Sequence, residues 1–143
     1  MKPESIQFFT EDLSYRIREK RKLRRDLEKV ITGENFKKGQ LNIILCSDRF
    51  LREYNRRYLK RDYFTDVIAF DLSGEQNQLR GDIYISLERV RENAKQYNTS
   101  IKEELLRVMI HGILHLMGMV DQHDEEKSKM REKENSYLAN LVK

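Results

Sequence analysis

All three histidines of the chain fall in one stretch, "HGILHLMGMVDQH", residues 111–123. His111 and His115 stand four apart. On an α-helix this spacing stacks both rings on one face, one turn apart, where they can converge on a single ion. Neutral imidazoles four residues apart are a recurrent zinc pair. Gly118 is suited to end such a helix and turn the chain back. Past that turn, Asp121 and His123 are each able to bring a third donor. Three protein ligands leave one coordination position open, the catalytic pattern, whereas a fourth would close the site into a structural one. The competing reading is two unrelated helix histidines. It fits poorly with the apolar sequence around them, because burying imidazoles without partners is costly. Two imidazoles with a carboxylate or a third imidazole suit Zn2+ best, with nickel and iron as chemically compatible alternatives.

One residue is missing for peptide hydrolysis. The zinc-protease motif HExxH places a general-base glutamate directly after the first histidine. Here that position is Gly112. The stretch therefore reads as the metal-binding half of such a site without its proteolytic half.

The elements that position these residues follow from periodicity. "IQFF" at 6–9 is compatible with a short strand. From Asp12 to Ile31, Leu13, Ile17, Leu23, Leu27 and Val30 form one apolar stripe, which predicts a helix ended by "TGEN". "LNIILCS" at 41–47, "DVIAFD" at 66–71 and "GDIYIS" at 81–86 predict strands, and "SGEQNQ" a loop. A short basic helix is expected from Ser47 or Asp48 to Tyr58. Ser86 can cap a helix with Leu87, Val90, Ala94 and Tyr97 inward. Ser100 and Glu103 have capping-box spacing and open "IKEELLRVMIHGILHLM", apolar nearly all round in its second half and hence the buried central helix. Asp124 is expected to cap a last helix with Met130, Tyr137, Leu138 and Leu141 inward. No repeat or second compositional regime is present. The expectation is one α+β domain over residues 1–143, a small mixed sheet packed against helices, with the HxxxH motif on the central one.

Composition bounds the function class. The 143 residues are 36% charged and 38% hydrophobic with a net charge of +4, which reads as a soluble globular chain. No run of apolar residues is long enough to span a membrane, and the N-terminus lacks a secretory h-region. A lone cysteine, Cys46, in an apolar run suits a buried thiol and a reducing cytoplasm. The basic blocks "YRIREKRKLRRDLEKV" and "DRFLREYNRRYLKRD" carry interleaved tyrosines, which suits a polyanion such as RNA; the plainer reading is a solvated helix face.

Several stretches together resemble the endoribonuclease YbeY family of bacterial metal-dependent RNases. "HGILHLMG" is similar to the family's HGxLHLxGYDH, "YNRRYLKRDYFTDVIAFD" to LNxxYRxKDxxTDVLSF, and "GDIYIS" to GDIxIS. The tail with Met130 and Glu134 resembles the family's M…E helix. The likeness runs over roughly residues 41 to 138. It implies a small mixed sheet against helices, a metal in a cleft held by three histidine positions, cleavage of single-stranded RNA, and work in 3′-end maturation of small-subunit (16S) ribosomal RNA and in ribosome quality control. It also implies the ribosomal small subunit as partner, with a small-subunit protein and a GTPase as further ones. Two positions depart from the family pattern. The ungapped third-ligand position holds Asp121, and His123 aligns only through a two-residue insertion after Gly118. Spacing favours Asp121, with His123 as the alternative. The family's arginine after the motif tyrosine is Leu59, a position to which Arg57, Lys60 or Arg61 could contribute instead.

The resulting expectation is a zinc-dependent hydrolase of single-stranded RNA. His111, His115 and Asp121 (or His123) would hold the ion, with His111 at the reaction centre, and Arg56, Arg57, Lys60 and Arg61 would hold the RNA backbone. Asp66 and Asp82 are candidates for a general base, or else simply orient loops. The rivals are a metalloprotease, against which Gly112 argues, and a non-catalytic ribosome assembly factor stabilised by its metal.

Overall fold

The computed structural model describes residues 5–59, 67–72 and 78–141. The elements run β1 (Ile6–Thr10), α1 (Lys20–Gly33), β2 (Lys37–Cys46), α2 (Asp48–Leu59), β3 (Val67–Asp71), β4 (Gln78–Ser86), α3 (Leu87–Gln96), α4 (Ile101–Leu116) and α5 (Asp124–Leu141). The four strands form one sheet in the order β1-β2-β4-β3. β1 and β4 flank β2 in parallel, and β3 closes one edge antiparallel to β4. A parallel pair needs a crossover connection, and α1 supplies the one between β1 and β2. The α+β class, the mixed sheet and the central histidine helix are therefore as expected from sequence.

The period-2 alternation of the strands divides the sheet into two faces. Leu41, Ile43, Leu45, Leu79, Ile83 and Ile85 point to one face, where they join α1, α4 and α5 in the main core. The opposite face carries a smaller cluster of Cys46, Leu51 and Ile68 under α2, edged by Phe50, Phe70 and Tyr84. α4 is the hub. It packs on β3 and β4 and against α1, α3 and α5, and its Leu105, Val108, Met109, Ile110, Ile113 and Leu114 are buried. A helix so apolar has no solvent face wide enough to sit at the surface.

The ends of α4 are defined by local chemistry. The Ser100 hydroxyl accepts a hydrogen bond from the Glu103 amide at 3.0 Å, satisfying one of the free N–H groups of the first turn. At the other end Gly118 adopts φ +94°. Its N–H donates to the His115 carbonyl at 2.9 Å, and the Met119 N–H donates to the Leu114 carbonyl at 3.1 Å. This pair of bonds is a Schellman closure, and it turns the chain sharply just beyond His115.

Three sequence expectations are corrected. The first helix starts at Lys20, not Asp12. Asp12 is drawn instead to the end of β2, where its carboxylate accepts from the Ser47 amide at 2.8 Å and the Ser47 hydroxyl at 2.5 Å, and Glu19 before the helix is left-handed at φ 55°. Asp124 does not cap α5. Glu126 reaches back to accept from the backbone N–H groups of Gln122 and His123, so His123 occupies the capping position. Tyr97 does not face inward. It lies at the C-cap of α3, 51% exposed.

Candidate metal centre

α4 carries His111 and His115 on the face turned towards α5 and the chain after Gly118. Their Nε2 atoms lie 2.9 Å apart. The glycine turn then returns the chain so that Asp121 reaches both: its carboxylate oxygens are 3.4 Å from His111 Nε2 and 3.5 Å from His115 Nε2. One donor atom from each of the three residues lies within 4.8 Å of the other two. Of the two alternatives after the turn, the structure brings Asp121 to the pair and leaves His123 outside the group. The reason is local: the His123 amide is tied to Glu126 at the start of α5, and the residue is exposed.

Glu134 sits behind this cluster. It is 3% exposed, and its Oε2 accepts from His111 Nδ1 at 2.6 Å. Its other oxygen accepts from the Arg107 guanidinium at 3.1 Å, which also donates to Asn135 at 2.8 Å. A carboxylate on the far ring nitrogen fixes the tautomer and orientation of a ligating histidine and raises its basicity. In the neutral form with the proton on Nδ1, His111 would present a lone pair at Nε2. His115 is held towards its neutral form. Burial and then the neighbouring His111 push its pKa down, against the opposing pull of Asp121 and of a hydrogen bond to the Met119 backbone. His115 Nε2 faces both His111 and Asp121. Two imidazole nitrogens and a carboxylate thus converge, close enough to share a proton or to take a cation in its place. The set N, N, O is one that zinc and its neighbours accept. Among the described residues no fourth His, Cys, Asp or Glu joins the group, so the donor set is of the open kind.

Gly112 explains the absent glutamate. A Cβ built there would stand 2.7 Å from Ile83 Cγ2 and 3.2 Å from Val67 Cγ2. Position 112 points into the sheet, not towards the cluster, and the close approach of α4 to β3 and β4 leaves no room for a side chain.

The remaining sequence candidates are placed elsewhere. Asp82 projects from β4 on the face opposite Ile83 and accepts from Asn42 Nδ2 at 2.9 Å. It is not brought to the histidines, because one step along a strand reverses the face. Arg56 and Arg57 stand exposed on α2, across the sheet from α4, with Arg56 paired to Glu53. Asp66, Lys60 and Arg61 lie outside the described residues, as does the side chain of Leu59. Glu134 is the functional candidate whose role the sequence did not disclose. Its signal was present: Met130, Glu134, Leu138 and Leu141 are the buried residues of α5, and a carboxylate in an apolar stripe needs a partner.

The fold and the cluster define a class: a small α+β domain with a helix-borne His-His-Asp group that could hold a metal ion. Comparison with known proteins is more specific. The family model of endoribonuclease YbeY matches residues 6–142. The chain is 42% identical over 139 residues to an endoribonuclease YbeY of Cytophaga hutchinsonii, covering 97% of both chains. It is 45% identical over 130 residues to that of Flavobacterium psychrophilum, covering 91% of this chain and 92% of the relative. The solution structure of TM1509 from Thermotoga maritima superposes with a TM-score of 0.63 at 32% identity, covering 95% of this chain and 88% of that one. The chain belongs to the endoribonuclease YbeY family.

Proposed function

We propose that this protein is a zinc-dependent, single-strand-specific endoribonuclease, working in the cytoplasm on the 3′ end of small-subunit ribosomal RNA and in ribosome quality control. The observation that carries the metal part is the convergence of His111 Nε2, His115 Nε2 and an Asp121 oxygen, with Glu134 fixing the His111 tautomer. The family membership supports the substrate class, and the +4 net charge fits a polyanionic partner.

His111, His115 and Asp121 would hold the ion. When bound, zinc supplies Lewis acidity, acidifying water and drawing charge from a phosphoryl oxygen. The chain's own residues do the rest. Glu134 keeps the Nδ1 proton of His111 in place and the ring aimed. Arg107 neutralises the buried Glu134. Gly112 lets α4 seat on the sheet, which fixes the height of both rings. Arg56 and Arg57, with Lys60 and Arg61 in the same basic stretch of sequence, provide positive charge for the RNA backbone. Partners of this reading are the small ribosomal subunit, one of its proteins and a GTPase. No helix among the described residues is long and apolar enough to cross a membrane.

The test is cleavage of defined single- and double-stranded RNA oligomers by purified protein, before and after chelation and with zinc restored. Cleavage of single strands only, lost with chelator and regained with zinc, is the expected result. Undiminished cleavage after complete metal removal would overturn it. The double variant Arg56→Glu/Arg57→Glu is expected to keep its metal and to bind RNA more weakly, with a shallower dependence on salt.

A further inference from the structure

A cavity of about 220 Å3 opens beside the metal centre between α3, α4 and α5 and shares His111 and Asp121 with it. Its floor is apolar. Val108 and Met130 line it and are 3% and 2% exposed. Its rim is aromatic and cationic. Tyr97, set outward at the end of α3, carries the Arg131 guanidinium over its ring at 5.3 Å from the centroid. Lys127, exposed on the first turns of α5, makes no side-chain ion pair or hydrogen bond among the described residues. The carboxylate of Glu104, 4% exposed, lies within the same wall.

This combination has a specific complement. An apolar floor and a phenol–guanidinium wall suit a flat, weakly hydrated ring, since bases stack on aromatic side chains and on arginine planes alike. The Glu104 carboxylate is paired with Arg107 in that wall. An unpaired lysine at the mouth suits a phosphate. The volume is below that of drug-sized ligand sites, roughly 300–1,000 Å3, and so matches one nucleotide unit, not an oligomer.

We propose that this cavity is a subsite for the nucleotide adjoining the scissile bond, the base lying against Tyr97 and Arg131 and a phosphate reaching Lys127. The proposal rests on the nuclease reading for its substrate, and it adds a second RNA contact on the α5 side of the metal, away from the basic segment of α2.

The test uses the full-length protein as wild type, Tyr97→Ala, Tyr97→Phe and Lys127→Ala. Binding of a fluorescent single-stranded RNA oligomer and cleavage of the same oligomer are measured in parallel, with metal content checked for each variant. Loss of one base stack is expected to weaken binding by about tenfold in Tyr97→Ala, with Tyr97→Phe near wild type. Lys127→Ala is expected to weaken binding severalfold and to reduce its salt slope by about one charge, and all variants should keep their metal. If Tyr97→Ala binds and cuts the oligomer as the wild type does, the subsite is refuted while the nuclease reading stands. If the wild type binds in a Tyr97-dependent way but leaves the RNA uncut, the cavity stands as a nucleotide-binding site, and both its place beside a scissile bond and the nuclease reading fall. A wild type that binds no RNA refutes both.

Discussion

At the scale of single residues the centre turns on which donor reaches the ion and what holds the donors still. A metal tolerates little positional error, since its bonds are ~2 Å long. Asp121 lies within 3.5 Å of both histidines, whereas His123 is committed to the start of α5. Asp121→Ala is therefore expected to lose metal far more than His123→Ala, and Asp121→His to retain it. Elemental analysis of the purified variants decides this, and the reverse order would assign the site to His123. Glu134 acts one step removed. Glu134→Gln keeps its volume but removes the charged acceptor from His111 Nδ1. Affinity for zinc should fall ~10–100-fold with the fold intact, measured by competition with a chromophoric chelator. Unchanged affinity would reduce Glu134 to a partner of Arg107.

At the scale of elements, α4 is held by contacts on every side, and its seat on the sheet depends on position 112 having no side chain. Gly112→Glu would restore the HExxH pattern in sequence while driving a carboxylate into Ile83 and Val67. Overpacking and burial of an unpaired charge each cost several kcal/mol, so a loss of at least ~3 kcal/mol of stability is expected in denaturant titration. No peptidase activity should appear. A Gly112→Glu variant as stable as the wild type would mean that position 112 faces the cleft after all. The other elements show how far local signals reach. The Schellman turn at Gly118 and the Ser100 cap were legible because each is decided within a few residues. The start of α1 was not, because Asp12 is claimed by Ser47, 35 residues further on.

At the scale of the whole molecule, the two faces of the sheet keep separate chemistries. The His-His-Asp cluster grows from the α4 face, while Cys46 is buried on the other under α2. Burial, then the nearby carboxylates of Asp12, Glu11, Asp48 and Glu88, raise the Cys46 thiol to about 12. It is fully protonated at neutral pH, and the thiolate is the reactive form. Native protein should therefore label with a thiol reagent orders of magnitude more slowly than protein in denaturant. Rapid native labelling would show that the α2 side opens readily.

What the sequence determined by itself is what short-range geometry determines: the paired histidines on one helix face, the glycine stop behind them, the alternating strands, and a donor set poor in protease chemistry. The likeness of its motifs to a family then supplied the rest of the expectation. Tertiary structure alone decided that Asp121 closes the cluster, that Glu134 from 23 residues beyond stands behind His111, and that Asp82 faces away. It also turned Tyr97 outward to the rim of a cavity. Helix spacing and turn types are settled by energies between near neighbours in the chain. Which distant side chain meets which is settled by how the α4 core packs as a whole, and no periodicity in the chain encodes that sum.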